Sequence, residues 1–232
     1  MGRERSMAQN VLGNAVDLLR QYYGSSPHAS PPEAWLTLVR IVLKQGGSAT
    51  KGRDGSWIDE SPLRTPEETA RLTRSRLMEI FEGAGQKSSH AGALPALAQW
   101  WLSEIGDEDA AAAFAARPLD AWQEELRAIR GVSWELADRI LLFVGGLAVY
   151  PLDRGSRRIA ARHGWMDLSA EYDDWQAFFI GGLRDTDVGV ADVSIWNSRL
   201  GRDFCGARAK CEECPLKGLL PEGGPVLLEG DD

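Results

Sequence analysis

Two carboxylates in the middle of the chain lie where each could take part in chemistry. In the stretch IRGVSWELADRI, residues 129–140, a helix ends at a glycine and a second helix starts after a short turn, with Glu135 on its first turn. Asp153 follows 18 positions after Glu135 and directly precedes an arginine-rich helix. A carboxylate can stabilise positive charge that develops on a substrate, but an acidic residue at either position also stabilises a helix start. The residues alone leave both roles open.

The cysteines form a second group with potential chemistry. All three, Cys205, Cys211 and Cys214, lie between positions 205 and 214. The start of the chain carries no apolar stretch of the kind found in secretion signals, and an odd, clustered set in such a chain is not a disulfide framework. The spacing indicates a metal site or the remnant of one.

The elements that must position these residues are predicted to be helices. Capping residues open helices at Thr65 and Asp120, each followed three positions later by Glu or Gln. Glycines mark several helix ends. Apolar residues recur at helical spacing around Leu38 and around Ile140, and no segment alternates convincingly over the length of a strand. The sequence therefore predicts an all-α protein of about nine to eleven helices.

Composition and charge narrow the class of protein. The chain has 232 residues, 44% of them hydrophobic and 26% charged, and it lacks an apolar run long enough to span a membrane; we expect a cytoplasmic protein. Its net charge of −8 argues weakly against a nucleic-acid partner. Binding depends on the local field, however, and a basic face is indicated by four closely spaced residues: Arg154, Arg157, Arg158 and Arg162.

Several motifs in order resemble one known superfamily. The stretch IRGVSWELADRILLF followed by YPLDRGSRRIAARHG matches the hairpin L-P-G-[VI]-G-x-K-T-A and the later V-D-x-x-x-x-R of the helix–hairpin–helix (HhH-GPD) DNA glycosylases related to endonuclease III. PEAWLTLVRIVLKQ resembles their P-x-x-x-L-x-x-x-I-L-x-Q segment, and RLGRDFC resembles their H-G-R-x-x-C. The resemblance covers about residues 8–217. It implies a monomeric, two-domain protein that binds a lesion in double-stranded DNA.

The resemblance implies a division of the chain and a set of DNA contacts. One domain is a helical barrel over 33–149 that contains the hairpin at about 119–145; the other combines 1–32 with 150–232, and DNA binds in the cleft between them. Backbone N–H groups of the hairpin form a nest for a phosphate. The expected DNA-binding residues are Gly131, Val132, Ser133, Trp134, Gln45, Arg154, Arg157 and Arg158.

The resemblance assigns different roles to the two carboxylates. Asp153 corresponds to the catalytic aspartate, which stabilises the oxocarbenium character of the deoxyribose while the N-glycosidic bond breaks. Glu135 occupies the position of the lysine that forms a Schiff base in bifunctional members. Since a carboxylate cannot form an imine, lyase activity is expected to be weak or absent. The pattern G-x-x-x-E-x-A-D-x-I-L resembles the monofunctional subgroup that removes alkylated bases such as 3-methyladenine.

Two further expectations follow from the resemblance. The cysteines match the iron–sulfur loop C-x6-C-x2-C-x5-C except that the first gap is one residue shorter and Leu220 replaces the fourth cysteine. Either three thiolates hold a [4Fe–4S] cluster with water or with a carboxylate such as Glu222, or the cluster has been lost; its role is structural. The flipped base needs a stacking face, for which the candidates are Trp35, Trp57 and Trp134.

Two alternatives remain open from the sequence. The first is a bifunctional endonuclease III-type glycosylase and AP lyase whose amine comes from elsewhere, for example Lys44 or Lys51. The second is a catalytically inert homologue that binds DNA structure, which the acidic net charge and the missing cysteine favour. Arg40 occupies the position where adenine-mismatch glycosylases carry a glutamate, which argues against that activity.

Overall fold

The regular elements in the described part of the chain are helices. A computed structural model describes residues 2–24, 33–44, 56–84 and 91–228. Within these ranges no strand forms, although one isolated bridge joins Cys205 and Ala209. The prediction of an all-α fold is confirmed. The described helices are α1 (Gly2–Tyr23), α2 (Ala34–Lys44), α3 (Pro66–Ala70), α4 (Arg74–Gly83), α5 (Leu94–Glu104), α6 (Ala110–Ala115), α7 (Leu119–Ala128), α8 (Trp134–Phe143), α9 (Arg154–Arg162), α10 (Tyr172–Leu183) and α11 (Val190–Asp203).

The chain divides into two compact units. One comprises Ala29–Leu147 and contains α2 to α8. In this unit α2 and α7 both pack against α8, and α3 packs against α5. Spacing of apolar residues by three or four positions puts one face of each helix into the core. Fully buried members of this core are Leu38, Val39, Val42, Leu97, Leu126, Leu136, Ile140 and Leu141.

The other unit combines Met1–His28 with Ala148–Asp232. Here α1 packs against α10, and α9 packs against α11. Aromatic side chains fill much of the core: Tyr150 stacks on Phe179 with ring centroids 3.9 Å apart, and Trp175 is fully buried beside them. Within the described residues, no helix is long and apolar enough to cross a bilayer.

The two predicted helix starts have different outcomes. Thr65 caps α3 as expected, since its side chain accepts a hydrogen bond from the Glu68 N–H. The prediction that Asp120 opens a helix was wrong. Helix α7 begins at Leu119, with Pro118 at the N-cap, and the Asp120 carboxylate accepts from the neighbouring Ala121 N–H instead. The extended backbone of Pro118 (φ −61°, ψ 149°) starts the helix without a side-chain cap.

A buried carboxylate fastens α8 to α7. Asp138 of α8 is inaccessible to solvent. Its Oδ1 accepts hydrogen bonds from Gln123 Nε2 at 2.9 Å and from Arg127 Nη2 at 3.2 Å, both on α7. A buried charge is tolerated when it is paired and hydrogen-bonded. These bonds therefore hold the two arms of the helical hairpin together.

Removing this carboxylate should destabilise the protein much more than removing a surface ion pair. We expect Asp138→Ala to lower the free energy of unfolding by about 3 kcal/mol or more, because the partners are left uncompensated. The control is Glu79→Ala, which breaks a pair with Arg76 whose two side chains are each 62% exposed; it should cost less than about 1 kcal/mol. Urea denaturation measures both. Equal losses would contradict a structural role for Asp138.

Candidate functional site

The turn between α7 and α8 has the tight geometry that the hairpin motif requires. Gly131 has a φ of +92°, a backbone conformation that is unfavourable for residues with a Cβ atom. A Cβ there would also approach Ala93 Cβ to 3.3 Å. The Val132 N–H donates to Ile129 O at 3.0 Å, which closes the turn. Ser133 then caps α8 by accepting from the Leu136 N–H at 3.1 Å. The turn thus delivers the chain directly into the N-terminus of α8.

Trp134, the first residue of α8, presents an aromatic ring at this turn. Its side chain is 49% exposed. The Arg127 guanidinium lies 4.1 Å from the ring centroid, within the range of a cation–π interaction. Since Arg127 is also bound to buried Asp138, the indole is held against a fixed cation. An exposed, anchored ring next to a helix N-terminus is suited to contact with a nucleic acid.

Glu135 is engaged on its own helix. Its Oε1 accepts from Arg139 Nε at 3.0 Å, one turn further along α8. Both side chains are partly exposed, at 33% and 23%. An acidic residue in the first turn also interacts favourably with the helix dipole. The local geometry of Glu135 is therefore that of a helix-stabilising residue.

Asp153 is the N-cap of α9, as its position in the sequence predicts. Its Oδ1 accepts from the Ser156 N–H at 2.6 Å. The second oxygen, Oδ2, accepts from Ser198 Oγ of α11 at 2.5 Å. The side chain is half-buried. The carboxylate is thus bound by donors from two different helices.

The chain that leads into Asp153 is held by a buried polar network. The Tyr150 hydroxyl lies 2.9 Å from Ser156 Oγ and accepts from Asn197 Nδ2 at 2.8 Å. The Tyr150 N–H donates to Gln176 Oε1 at 3.0 Å, and the Gln176 amide donates back to the Tyr150 carbonyl. Because Tyr150, Ser156 and Asn197 are all buried, these bonds form in a medium that strengthens them. They fix the backbone on the N-terminal side of Asp153.

The arginines of α9 do not form one continuous face. Arg154 is exposed, and Arg157 and Arg158 are half-buried. Arg157 Nη2 donates to Leu168 O at 3.0 Å, within its own unit. Arg162 is only 1% exposed and lies inside the protein. The basic patch indicated by the sequence is therefore reduced to the N-terminal part of the helix.

Arg162 and His163 bind the segment 205–216, the cysteine loop, which carries all three cysteines. The Arg162 guanidinium donates to Gly206 O at 2.8 Å, to Ala207 O at 3.2 Å and to Cys205 Sγ at 3.3 Å. His163 Nδ1 lies 2.7 Å from Ile159 O, and its Nε2 lies 3.3 Å from Leu216 O beyond the last cysteine. Burial lowers the pKa of His163 although both carbonyl groups act in the opposite direction. The last residue of α9 and the residue that follows it therefore bind the two ends of the loop.

The loop does not provide the ligands of a four-thiolate cluster. It has three cysteines, and Leu220 stands at the fourth position. Burial raises the pKa of the Cys214 thiol to about 11. Glu222 is exposed. Among the residues that the structure describes, no three His, Cys, Asp or Glu side chains are grouped so as to hold a metal ion.

The predicted site residues fall in different surroundings. The hairpin residues belong to the unit Ala29–Leu147, whereas Asp153 and the arginines of α9 belong to the other unit. Trp35 is buried, donates through Nε1 to Leu63 O at 3.0 Å and packs edge-on against Trp101, as a core residue does. Trp57 is half-buried. Gln45 and Lys51 lie outside the described residues, as does the side chain of Lys44.

Sequence reasoning missed the residues that hold Asp153 from a distance. Ser198 is 45 positions away from Asp153, and Asn197 is 47 positions away from Tyr150. Neither lies within a recognisable motif, although Ser198 directly precedes the stretch RLGRDFC. The inward orientation of Arg162 was missed as well, because a charged residue is almost never fully buried unless it is paired, and the sequence placed Arg162 with the other arginines on a basic face.

Comparisons with known proteins agree on one fold. Endonuclease III trapped as a covalent intermediate with DNA, in an estranged-adenine complex, superposes with a TM-score of 0.66 at 18% identity and covers 93% of this chain and 96% of its own. A thermostable thymine-DNA glycosylase gives a TM-score of 0.61 at 15% identity, over 94% and 95% of the two chains. The chain therefore has the endonuclease III-like fold.

The sequence comparisons add one relative. A protein of Methanocaldococcus jannaschii, provisionally named a DNA repair glycosylase, is 26% identical over 202 residues, which are 86% of this chain and 91% of that protein. No family model matches the chain. The similarity thus extends through both units.

His163 should make the stability of the protein depend on pH. Its pKa in the folded state lies below the ordinary value of 6.5. The imidazole therefore binds a proton more readily in the unfolded chain than in the folded protein. The contribution of neutral His163 to the stability of the fold is lost as the pH falls below about 6.5. We expect the stability advantage of the wild type over His163→Gln, measured by urea denaturation, to shrink between about pH 7.5 and about pH 5.5, by at most about 1.4 kcal/mol per pH unit. An advantage that grows on acidification would contradict this assignment.

Proposed function

We propose that this member of the helix–hairpin–helix DNA glycosylase superfamily is a monofunctional enzyme of base excision repair. In this proposal it hydrolyses the N-glycosidic bond of a damaged base in double-stranded DNA, and its preferred substrate is an alkylated purine. The observation that carries the proposal is the setting of Asp153, a half-buried carboxylate held at a helix N-terminus by donors on two helices.

The proposed reaction needs one stationary negative charge. As the bond between C1′ and the base nitrogen breaks, the base leaves with the bonding electron pair and positive charge develops on the deoxyribose. The Asp153 carboxylate stabilises that charge and orients a water molecule. The water oxygen adds to C1′ and its proton passes to solvent. The products are the free base and an abasic site in an intact strand.

An alkylated base fits this minimal site. Such a base is cationic, so it departs as a neutral molecule and is already a good leaving group once it has been flipped out of the duplex. A second feature supports monofunctional chemistry. Glu135, at the position of the lysine in the bifunctional pattern, carries no amine and pairs with Arg139. Strand cleavage through an imine therefore has no nucleophile at this position.

DNA would be held by the hairpin and by local positive charge. The backbone of the turn and the N-terminus of α8 offer N–H groups and a favourable dipole to a phosphate. Trp134 and exposed Arg154 supply an aromatic ring and a cation. Because the net charge of the chain is −8, this interface has to act through its local field. The protein is proposed to act as a monomer.

Removing the charge of Asp153 should abolish base release without unfolding the protein. Asparagine retains the N-cap hydrogen bond, so Asp153→Asn removes the charge and keeps the helix cap, while its amide nitrogen faces Ser198 as a donor in place of Oδ2. On duplexes that carry 3-methyladenine-type, hypoxanthine, uracil or thymine glycol lesions, we expect alkali-dependent breaks with the wild type and a loss of about 100- to 1000-fold in the variant. Asp167→Asn, at an exposed carboxylate bound to Ser169, is the matched control and should retain activity.

The same assay separates the alternatives. Breaks without alkali, together with a borohydride-trapped adduct on the wild type, would replace this proposal with a bifunctional enzyme whose amine comes from Lys44, Lys51 or another residue. DNA binding without breaks on any of these lesions would favour an inert DNA-structure binder. Full activity of Asp153→Asn would remove Asp153 from the mechanism.

A lysine introduced at position 135 should restore part of the missing chemistry. We expect Glu135→Lys to form a protein–DNA adduct that borohydride reduces and traps, because an amine there can attack C1′ and form an imine. Glu135→Gln is the control: it also loses the pair with Arg139 but carries no amine, so it should give no adduct. Gel separation of protein bound covalently to labelled DNA measures both. Absence of the adduct from Glu135→Lys would argue that position 135 does not face the sugar.

A further inference from the structure

Both carboxylate oxygens of Asp153 accept hydrogen bonds. Its own helix supplies the Ser156 N–H, 2.6 Å from Oδ1. A second helix supplies Ser198 Oγ, 2.5 Å from Oδ2. The torsion that rotates a carboxylate about its Cβ–Cγ bond is broad and weakly restrained by itself. One hydrogen bond to a single oxygen leaves much of that rotation open, whereas a donor at each oxygen fixes the plane of the group.

The second donor reaches Asp153 because α9 and α11 cross at two glycines. A Cβ on Gly201 would lie 2.9 Å from Gly155 Cα, which is backbone and cannot give way. A Cβ on Gly155 would lie 3.3 Å from Asp153 Oδ1 and 3.4 Å from Gly201 Cα. Ser198 lies nearly one turn before Gly201 on α11. The absence of side chains at the crossing thus lets the helices approach until the Ser198 hydroxyl meets the carboxylate.

We propose that Ser198 is a positioning residue for the reaction, which orients the Asp153 carboxylate toward the sugar without touching the substrate. This inference rests on the proposed function, because it assigns Asp153 the role of stabilising the developing charge. Small errors in the position of a reacting group cost large factors in rate. Loss of the Ser198 hydroxyl would therefore slow the chemical step while DNA still binds.

A serine that only joined α9 to α11 would behave differently. Its removal would lower the stability of the unit and change rate and DNA affinity only as far as the fold was weakened. The matched pair Ser198→Thr and Ser198→Val separates the two roles. Threonine retains the hydroxyl, and valine has nearly the same shape without it, so any steric strain at half-buried Ser198 should be similar in both variants.

The experiment measures the single-turnover rate of base release, with enzyme in excess over a duplex carrying the lesion that the wild type processes. Affinity for a duplex with an uncleavable tetrahydrofuran abasic analogue and the midpoint of thermal unfolding are measured in parallel. We expect Ser198→Ala and Ser198→Val to lose about 10- to 100-fold in rate, with DNA affinity and unfolding midpoint close to wild type. Ser198→Thr should recover most of the rate.

The possible results are distinguishable. Wild-type rates in Ser198→Ala and Ser198→Val overturn the positioning role and leave the proposed function intact. Equal losses in the threonine and valine variants also overturn it, because the hydroxyl would then not be responsible. Rate losses that follow losses of affinity or unfolding midpoint assign Ser198 a structural role only. A wild type that releases none of the tested bases removes the proposed function and this inference together.

Discussion

The crossing of α9 and α11 is the constraint on which the arrangement around Asp153 depends. Helices ordinarily pack with their axes 8–10 Å apart, a distance set by the side chains between them. At Gly155 and Gly201 there are no such side chains, and an added Cβ at Gly201 would collide with backbone. Because the helices meet so closely, donors from both converge on one carboxylate. Asp153 can then serve as a helix cap and still have its second oxygen held.

Buried polar groups in both units are likewise bound by side chains or backbone of neighbouring elements. Asp138 is bound by Gln123 and Arg127 of the neighbouring helix. Arg162 satisfies two carbonyl groups and a thiol of the cysteine loop. Buried polar groups are costly unless they are paired, so each of these contacts dictates one arrangement of the elements it joins. The segment between Cys205 and Leu216 is thus bound by Arg162 of α9 and by His163, which directly follows α9.

Local signals in the sequence predicted the parts of the site that depend on neighbouring residues. The cap at Asp153, the turn at Gly131 and the acidic first turn at Glu135 each involve contacts within about four positions, for which capping and turn chemistry are informative. Ser198 and Arg162 could not be assigned in this way. Their roles depend on which helices pack together, and a charged residue such as Arg162 is almost never fully buried unless it is paired. The same limit explains Trp35, whose burial follows from packing rather than from its residue type.

The features of the site fit together if its substrate base is cationic. A neutral base leaves as an anion unless it is protonated, so its removal is helped by an acid or a hydrogen-bond donor at the base as well as by a carboxylate at the sugar. A cationic base leaves as a neutral molecule, and the requirement is reduced to a negative charge in a fixed position. The hydrogen bonds from Ser156 and Ser198 hold the Asp153 carboxylate in place, and its charge would then stabilise a developing oxocarbenium ion. If the base is cationic, no second catalytic group is needed, which agrees with a glutamate in place of an amine at position 135. The orientation of the Asp153 carboxylate would then limit the rate.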